Sequence, residues 1–214
     1  MVKYYEEQTT FNFSWEQVAQ AFWQKYPNPH SSHVLTEDTI QREVRDGKLY
    51  SKRLLSKTNR VPKWGERFYN AKSVKIVEES VCDPQRRTLV TYTRNVAFTK
   101  IMSVTEKVIY VSSKDTPGKT IAHRSAWIDS QVFGFSRAIS AFGLDRFKKN
   151  CSKMSSGFNW VLYTLFPNSN NSHQDFHLLH PATKAQKIKE AARTASDHVK
   201  AQAEHLYQTY SVKN

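Results

Sequence analysis

This chain of 214 residues lacks long apolar runs, acidic residues to match its basic ones, and any catalytic signature. No stretch of 18 apolar residues occurs, so no membrane-spanning helix is expected. The two cysteines, Cys82 and Cys151, fit neither a metal-ligand nor a disulfide spacing and read as small buried apolar side chains. The first residues include Glu6 and Glu7 and no apolar h-region, so neither a secretory signal nor an Arg-rich presequence is expected there. There is no Gly-x-Ser-x-Gly elbow, His-Glu-x-x-His helix, Walker loop or dinucleotide fingerprint to anchor enzyme chemistry. Against 32 Lys and Arg stand 19 Asp and Glu, a formal charge of +13. Such a balance seeks an anionic partner: nucleic acid, an acidic protein or an acidic membrane. No recognition-helix, RRM or zinc pattern supports the first of these.

What is present is strand signal. Residues 3–13 read as an opening strand. Trp15, Val18, Ala19, Phe22 and Trp23 keep helical spacing and run into Lys25-Tyr26-Pro27-Asn28-Pro29. Two prolines in three residues stop the helix and turn the chain into an extended segment, residues 34–44. Arg45-Asp46-Gly47-Lys48 marks a hairpin to residues 49–55. Asp83-Pro84 separates segments 74–82 and 89–96, and Pro117-Gly118 separates 101–111 from 120–128. These seven segments predict an antiparallel meander. Apolar residues from Phe135 to Leu165 keep a 3.6-residue period through most of 131–166, predicting a long closing helix with Gly143 as a candidate bend.

The expected fold is therefore α+β: a START-like helix-grip domain, residues 1–166, whose curved seven-stranded antiparallel sheet and long C-terminal helix enclose a cavity. Residues 167–181 read as a polar linker and 182–214 as a helix-prone Ala/Lys-rich tail. His173, His177 and His180 sit in an asparagine-rich setting that favours a polar tract over a metal site. His33 and His123 read as structural residues, His33 through a hydrogen bond that steadies the turn.

Met1-Val-Lys-Tyr4, Ala21-Phe-Trp-Gln-Lys-Tyr-Pro-Asn-Pro29, His33-Val-Leu35, Arg53-Leu-Leu55, Val81-Cys-Asp-Pro84 and Thr91-Tyr-Thr-Arg-Asn95 together resemble the PRELI (Ups) family of mitochondrial lipid-transfer proteins, in particular its phosphatidic acid branch. The resemblance implies a non-enzymatic carrier in the mitochondrial intermembrane space, with no cofactor beyond a bound phospholipid as cargo. It implies carriage of phosphatidic acid from the outer to the inner membrane for cardiolipin synthesis. It further implies docking on anionic membranes rich in cardiolipin, and a heterodimer with a small twin-cysteine-motif (TRIAP/Mdm35-like) protein. The alternatives are transfer of another anionic phospholipid such as phosphatidylserine, a basic nucleic-acid-binding module, a START-like hydrolase, or a scaffold acting through its tail.

By the same resemblance Lys25, Arg53, Lys57 and Lys153 match basic positions in or beside the lipid pocket and are the expected phosphate-binding residues. Many relatives carry arginine where Lys25 stands, so a point charge here replaces a planar fork. The residues alone add more cations: Arg60 and Lys63, and Arg146 and Lys149, which share a helical stripe with Lys153, are expected to dock on membranes or support the pocket. Residues 61–70 have the length of an Ω-type loop, and Val61, Pro62, Trp64 and Phe68 are the expected lid. Val74, Ile76, Val90, Tyr92, Met102, Val104 and Phe135 are candidates for the apolar wall. The chemistry is coherent: about thirty acyl methylenes exposed to water cost ~20 kcal/mol or more, and a buried phosphate requires cationic donors.

Overall fold

The computed structural model describes residues 2–58 and 72–167. The opening strand β1 (Lys3–Phe11) leads into helix α1 (Trp15–Phe22) through a reciprocal cap. Ser14 Oγ accepts from the Gln17 amide at 3.3 Å, and Gln17 Oε1 accepts from the Ser14 amide at 2.9 Å. The helix buries Trp15, Val18, Ala19, Ala21 and Phe22 and stops at the proline corner, where the Tyr26–Pro27 bond is cis and Pro29–Ser31 form one 3-10 turn. Asn28 braces this corner: its Nδ2 donates to the Lys25 carbonyl at 2.7 Å and its Oδ1 accepts from the His30 amide at 3.0 Å.

Six strands follow: β2 (Val34–Arg45), β3 (Lys48–Thr58), β4 (Ser73–Asp83), β5 (Thr88–Asn95), β6 (Ser103–Ser112) and β7 (Thr120–Asp129). In the sheet order β1-β7-β6-β5-β4-β3-β2 the strands β2 to β7 form the expected meander, while β1 pairs antiparallel with β7. At the first hairpin Asp46 and Gly47 have φ of 51° and 71°, the left-handed pair that a two-residue turn between twisted strands requires.

Helix α2 (Ser136–Leu165) closes the fold. It starts five residues later than its apolar period predicts, because Gly134 adopts φ 73° and residues 131–135 form a loop. Its hydrogen-bonded turns continue without interruption through Gly143. There the missing side chain serves close approach: a Cβ would lie 2.7 Å from Met102 Sδ and 2.8 Å from Ile128 Cγ2. Gly157 plays the same part at the corner, where a Cβ would lie 2.4 Å from Asn28 Oδ1. Gly157→Ala is therefore expected to cost about 1–3 kcal/mol of stability in urea unfolding, and to loosen Lys25, whose carbonyl Asn28 holds.

Aromatic rings close one end of the space between sheet and helix. Phe11 meets Phe158 edge-on at 5.3 Å, and Phe13 meets Tyr163 at 4.9 Å. The concave, helix-facing side is set by strand parity: Phe11, Leu55, Thr91, Val108 and Ala122 lie on it and are buried. Val90 and Tyr92 alternate with Thr91 and fall on the convex face, with Tyr92 45% exposed, which removes both from the candidate apolar wall. Phe135 is also exposed, at the start of α2. The expected linker beyond residue 167 and the tail lie outside the described residues, as do His173, His177 and His180.

Candidate functional site

Every strand contributes one polar side chain to a belt across the concave face. In sheet order these are Glu7, Arg124, Glu106, Thr93, Glu78, Arg53 and Glu37. The register builds it: Glu7 faces Arg124, Thr93 faces both Glu106 and Glu78, and Glu78 faces Arg53. Arg124 Nη1 lies 2.8 Å from Glu7 and its Nε 2.7 Å from Glu106. Arg53, 1% exposed, is clamped between Glu37 and Glu78, with its Nε 2.9 Å from Glu78 Oε1 and its guanidinium 4.6 Å from the Phe22 ring centre.

The corner adds Lys25, whose Nζ lies 2.6 Å from Glu78 Oε2 and 4.4 Å from the centre of the Phe22 ring. Lys57, at the end of β3, adds a fourth cation. Four carboxylates (Glu7, Glu37, Glu78, Glu106) thus meet four cations (Lys25, Arg53, Lys57, Arg124) in the interior. Three of the cations are in ion pairs. Lys57 makes none among the described residues.

The protonation behaviour follows from burial. Desolvation pushes the Lys57 and Lys25 ammonium groups down, opposed for Lys25 by Glu78 at hydrogen-bond distance. Burial would raise Glu78, but Lys25 and Arg53 outweigh it and hold the carboxyl below its ordinary range. Glu37 moves up through burial, with Arg53 opposing. Burial pushes the Cys151 thiol up to about 12, so no thiolate nucleophile forms near neutral pH.

Belt, corner and helix together line an open-mouthed cavity with about 650 Å³ of empty space, the solvent at its mouth included. Its apolar surface comes from Phe11, Leu55, Val108, Met154 and Phe158, and its polar surface includes Lys25, Tyr26, Lys57, Glu78, Glu106 and Arg124. None of the seven expected apolar-wall residues lines it.

The four expected phosphate-binding residues occupy three kinds of position. Lys25 and Lys57 line the cavity. Arg53 stands behind it, enclosed by carboxylates, and is not among the lining residues. Lys153 is exposed on α2 and, with Lys57 and Arg146, shares the field around His33. Desolvation first, and then these three cations, depress His33, while its carbonyl accepts from the Thr58 amide at 2.8 Å and joins the start of β2 to the end of β3. Lys149 is exposed and pairs with Asp145 at 2.8 Å. Arg60, Lys63 and the expected lid residues Val61, Pro62, Trp64 and Phe68 lie outside the described residues, in the connection between Thr58 and Lys72. Sequence reasoning missed Glu78, Glu106 and Arg124. Charges in alternating strands read as solvent-facing, and the available signal was their opposite sign from strand to strand.

A cavity beneath a long helix held against a curved antiparallel sheet defines a helix-grip domain of the START-like class. Solved structures agree at the level of fold. The Zhui aromatase/cyclase of Streptomyces sp. R1128 superposes with a TM-score of 0.52 at 12% identity, over 81% of this chain and 99% of that one. Ara h 8.0201 superposes with 0.51 at 10%, over 77% and 99%. The chain belongs to the PRELI-like family, whose model matches residues 16–168. It is 49% identical over 169 residues to the mouse "PRELI domain-containing protein 1, mitochondrial", covering 77% of this chain and 78% of that protein. It is 32% identical over 167 residues to "Protein UPS1, mitochondrial" of Saccharomyces cerevisiae, covering 77% and 95%.

Proposed function

We propose that this protein is a non-enzymatic lipid carrier of the mitochondrial intermembrane space, taking phosphatidic acid from the outer to the inner membrane for cardiolipin synthesis. The observation that carries the reading is Lys57, a cation in an amphipathic cavity whose other cations are already matched by carboxylates. Its desolvation cost falls when an anion arrives. A phosphomonoester is small enough to sit among Lys57, Lys25 and Tyr26, whereas a bulky choline headgroup would crowd them. Names of relatives that include "mitochondrial" support the organelle. The separate twin-cysteine partner and the cardiolipin-rich target membrane belong to the same reading.

Phosphatidylserine is the second reading, favoured by one feature: Glu78 and Glu106 line the cavity and offer carboxylates to an ammonium group. One experiment separates the two. The full chain, with its partner, is assayed for transfer between vesicles carrying phosphatidic acid, phosphatidylserine or phosphatidylcholine, and native mass spectrometry identifies the lipid held. Transfer of phosphatidic acid well above both others is expected. Equal rates for phosphatidic acid and phosphatidylcholine would defeat the proposal, and a preference for phosphatidylserine would establish the second reading.

A further inference from the structure

The two rims of the sheet differ in chemistry. By antiparallel order one rim gathers the end of β3, the start of β4, the β5–β6 loop (residues 96–102) and the β7–α2 loop (residues 130–135). The two loops are joined backbone to backbone, the Gln131 amide donating to the Lys100 carbonyl at 2.9 Å. They present Val96, Phe98, Phe133 and Phe135 to solvent, Phe98 49% exposed and Phe133 100% exposed. Around these rings stand exposed Lys72, Lys75, Arg94, Lys100 and Arg137, and the only acidic residue within the described strand ends and loops of this rim is Asp129. At the opposite rim two of the cations are answered, Lys48 by Asp83 at 3.5 Å and Arg87 by Glu16 at 2.8 Å, and Val44 is the exposed large apolar residue beside its hairpin.

The aromatic display is built rather than slack. Asn95 spans the base of the β5–β6 loop, its Nδ2 donating to the Ala97 and Met102 carbonyls, both at 2.9 Å, and its Oδ1 accepting from the Val104 amide at 2.8 Å. This frame holds Phe98 at φ 59°, a left-handed conformation that a bulky side chain adopts only under constraint.

We propose that this rim is a membrane-docking surface, in which Phe98 and Phe133 enter the interface of an anionic bilayer while Lys72, Lys75, Arg94, Lys100 and Arg137 meet its headgroups. Aromatic tips ringed by cations match such a surface in both chemistry and charge. The rim residues named here are distinct from the long-helix cations Arg146 and Lys149. The rim also lies at the end of β3 that carries Lys57, so docking brings this cavity-lining cation toward the bilayer. The inference shares with the proposed function only the need to touch a membrane and is independent of which lipid is carried.

The test uses the full chain and vesicles of about three parts phosphatidylcholine to one of phosphatidylglycerol. Phe133→Ser and Phe98→Gly are each expected to weaken vesicle partitioning about tenfold. Phe98→Gly should melt at or above the wild-type temperature, because glycine accepts the left-handed conformation. Lys72→Gln with Lys100→Gln should weaken binding and flatten its salt dependence. An environment-sensitive dye on Phe133→Cys reads insertion directly, Cys82 and Cys151 being buried; its emission should rise with these vesicles and stay flat with pure phosphatidylcholine. Wild-type partitioning by both phenylalanine variants, or a silent dye on bound protein, overturns the proposal. So does loss of binding to a protein partner with vesicle binding intact, which would make the rim a protein interface. Cargo binding measured in solution with a short-chain lipid should be unchanged in the rim variants, so failure here is distinguishable from failure of the carrier reading.

Discussion

Lys57→Met should abolish most lipid carriage while leaving the fold as stable as before or more so. In the wild type the ammonium is desolvated beside the cavity and makes no ion pair among the described residues. Burying an uncompensated polar group costs about 1–3 kcal/mol, and a methionine of similar length removes that cost. The sign with pH is definite. The folded-state value lies below the ordinary lysine value, so the unfolded chain binds more protons between the two. The penalty is complete below the folded value and is relieved as pH rises through it toward 10.5. The stabilising effect of the substitution should therefore be largest below the folded value and shrink as pH rises toward the ordinary lysine value. Binding of an anionic phosphate loses a charged hydrogen bond of about 1.5–3 kcal/mol, a drop of roughly ten- to a hundredfold in affinity. Chemical denaturation and lipid-transfer rates, measured on the same preparation, check both halves. A variant that is strongly destabilised would show that Lys57 is structural.

Arg53→Met should do the reverse. Its guanidinium is the shared counterion of Glu37 and Glu78, and removing one member of a buried set leaves charge without compensation. The expected loss is about 3–5 kcal/mol, or ~6–20 °C in melting temperature for a domain of this size. Glu78 is held low by Lys25 and Arg53 against its own burial, so its contribution to stability is present above the ordinary carboxyl value and is lost as pH falls through the folded one. The gap between wild type and variant should accordingly narrow in acid, where Glu78 protonates in both. An equal gap at all pH values would mean that Arg53 acts by packing on Phe22 and Trp23 and not by charge.

The two substitutions separate residues that sequence alone places in one group. Arg53 and Lys57 are two strand repeats apart on the same face, and both match basic positions of the family. Only the geometry shows one saturated and one without an ion pair among the described residues. Much else was legible. The proline corner, the Asp-Gly hairpin and the long helix arise from local rules of backbone geometry, and these hold regardless of what packs against them. The pairing of β1 with β7 was not legible, because nothing local links Glu7 to Arg124. Which face of β5 points inward was not decidable from the sequence, for a physical reason. Thr91 and Thr93 face the cavity while Val90 and Tyr92 face outward, so the usual rule of apolar inside inverts where the inside is a polar site. The same inversion hid Glu78, Glu106 and Arg124.

The polar belt has a consequence beyond the cargo. Each of its charges is answered by a charge on a neighbouring element, so an alignment error of one residue in any of these strands would send its member to the convex surface and strand its counterpart in the interior. An apolar face would tolerate such slippage with modest loss. Here every mispaired sheet carries an isolated interior ion, which makes the chain intolerant of near-native competitors and proofreads the meander as it assembles.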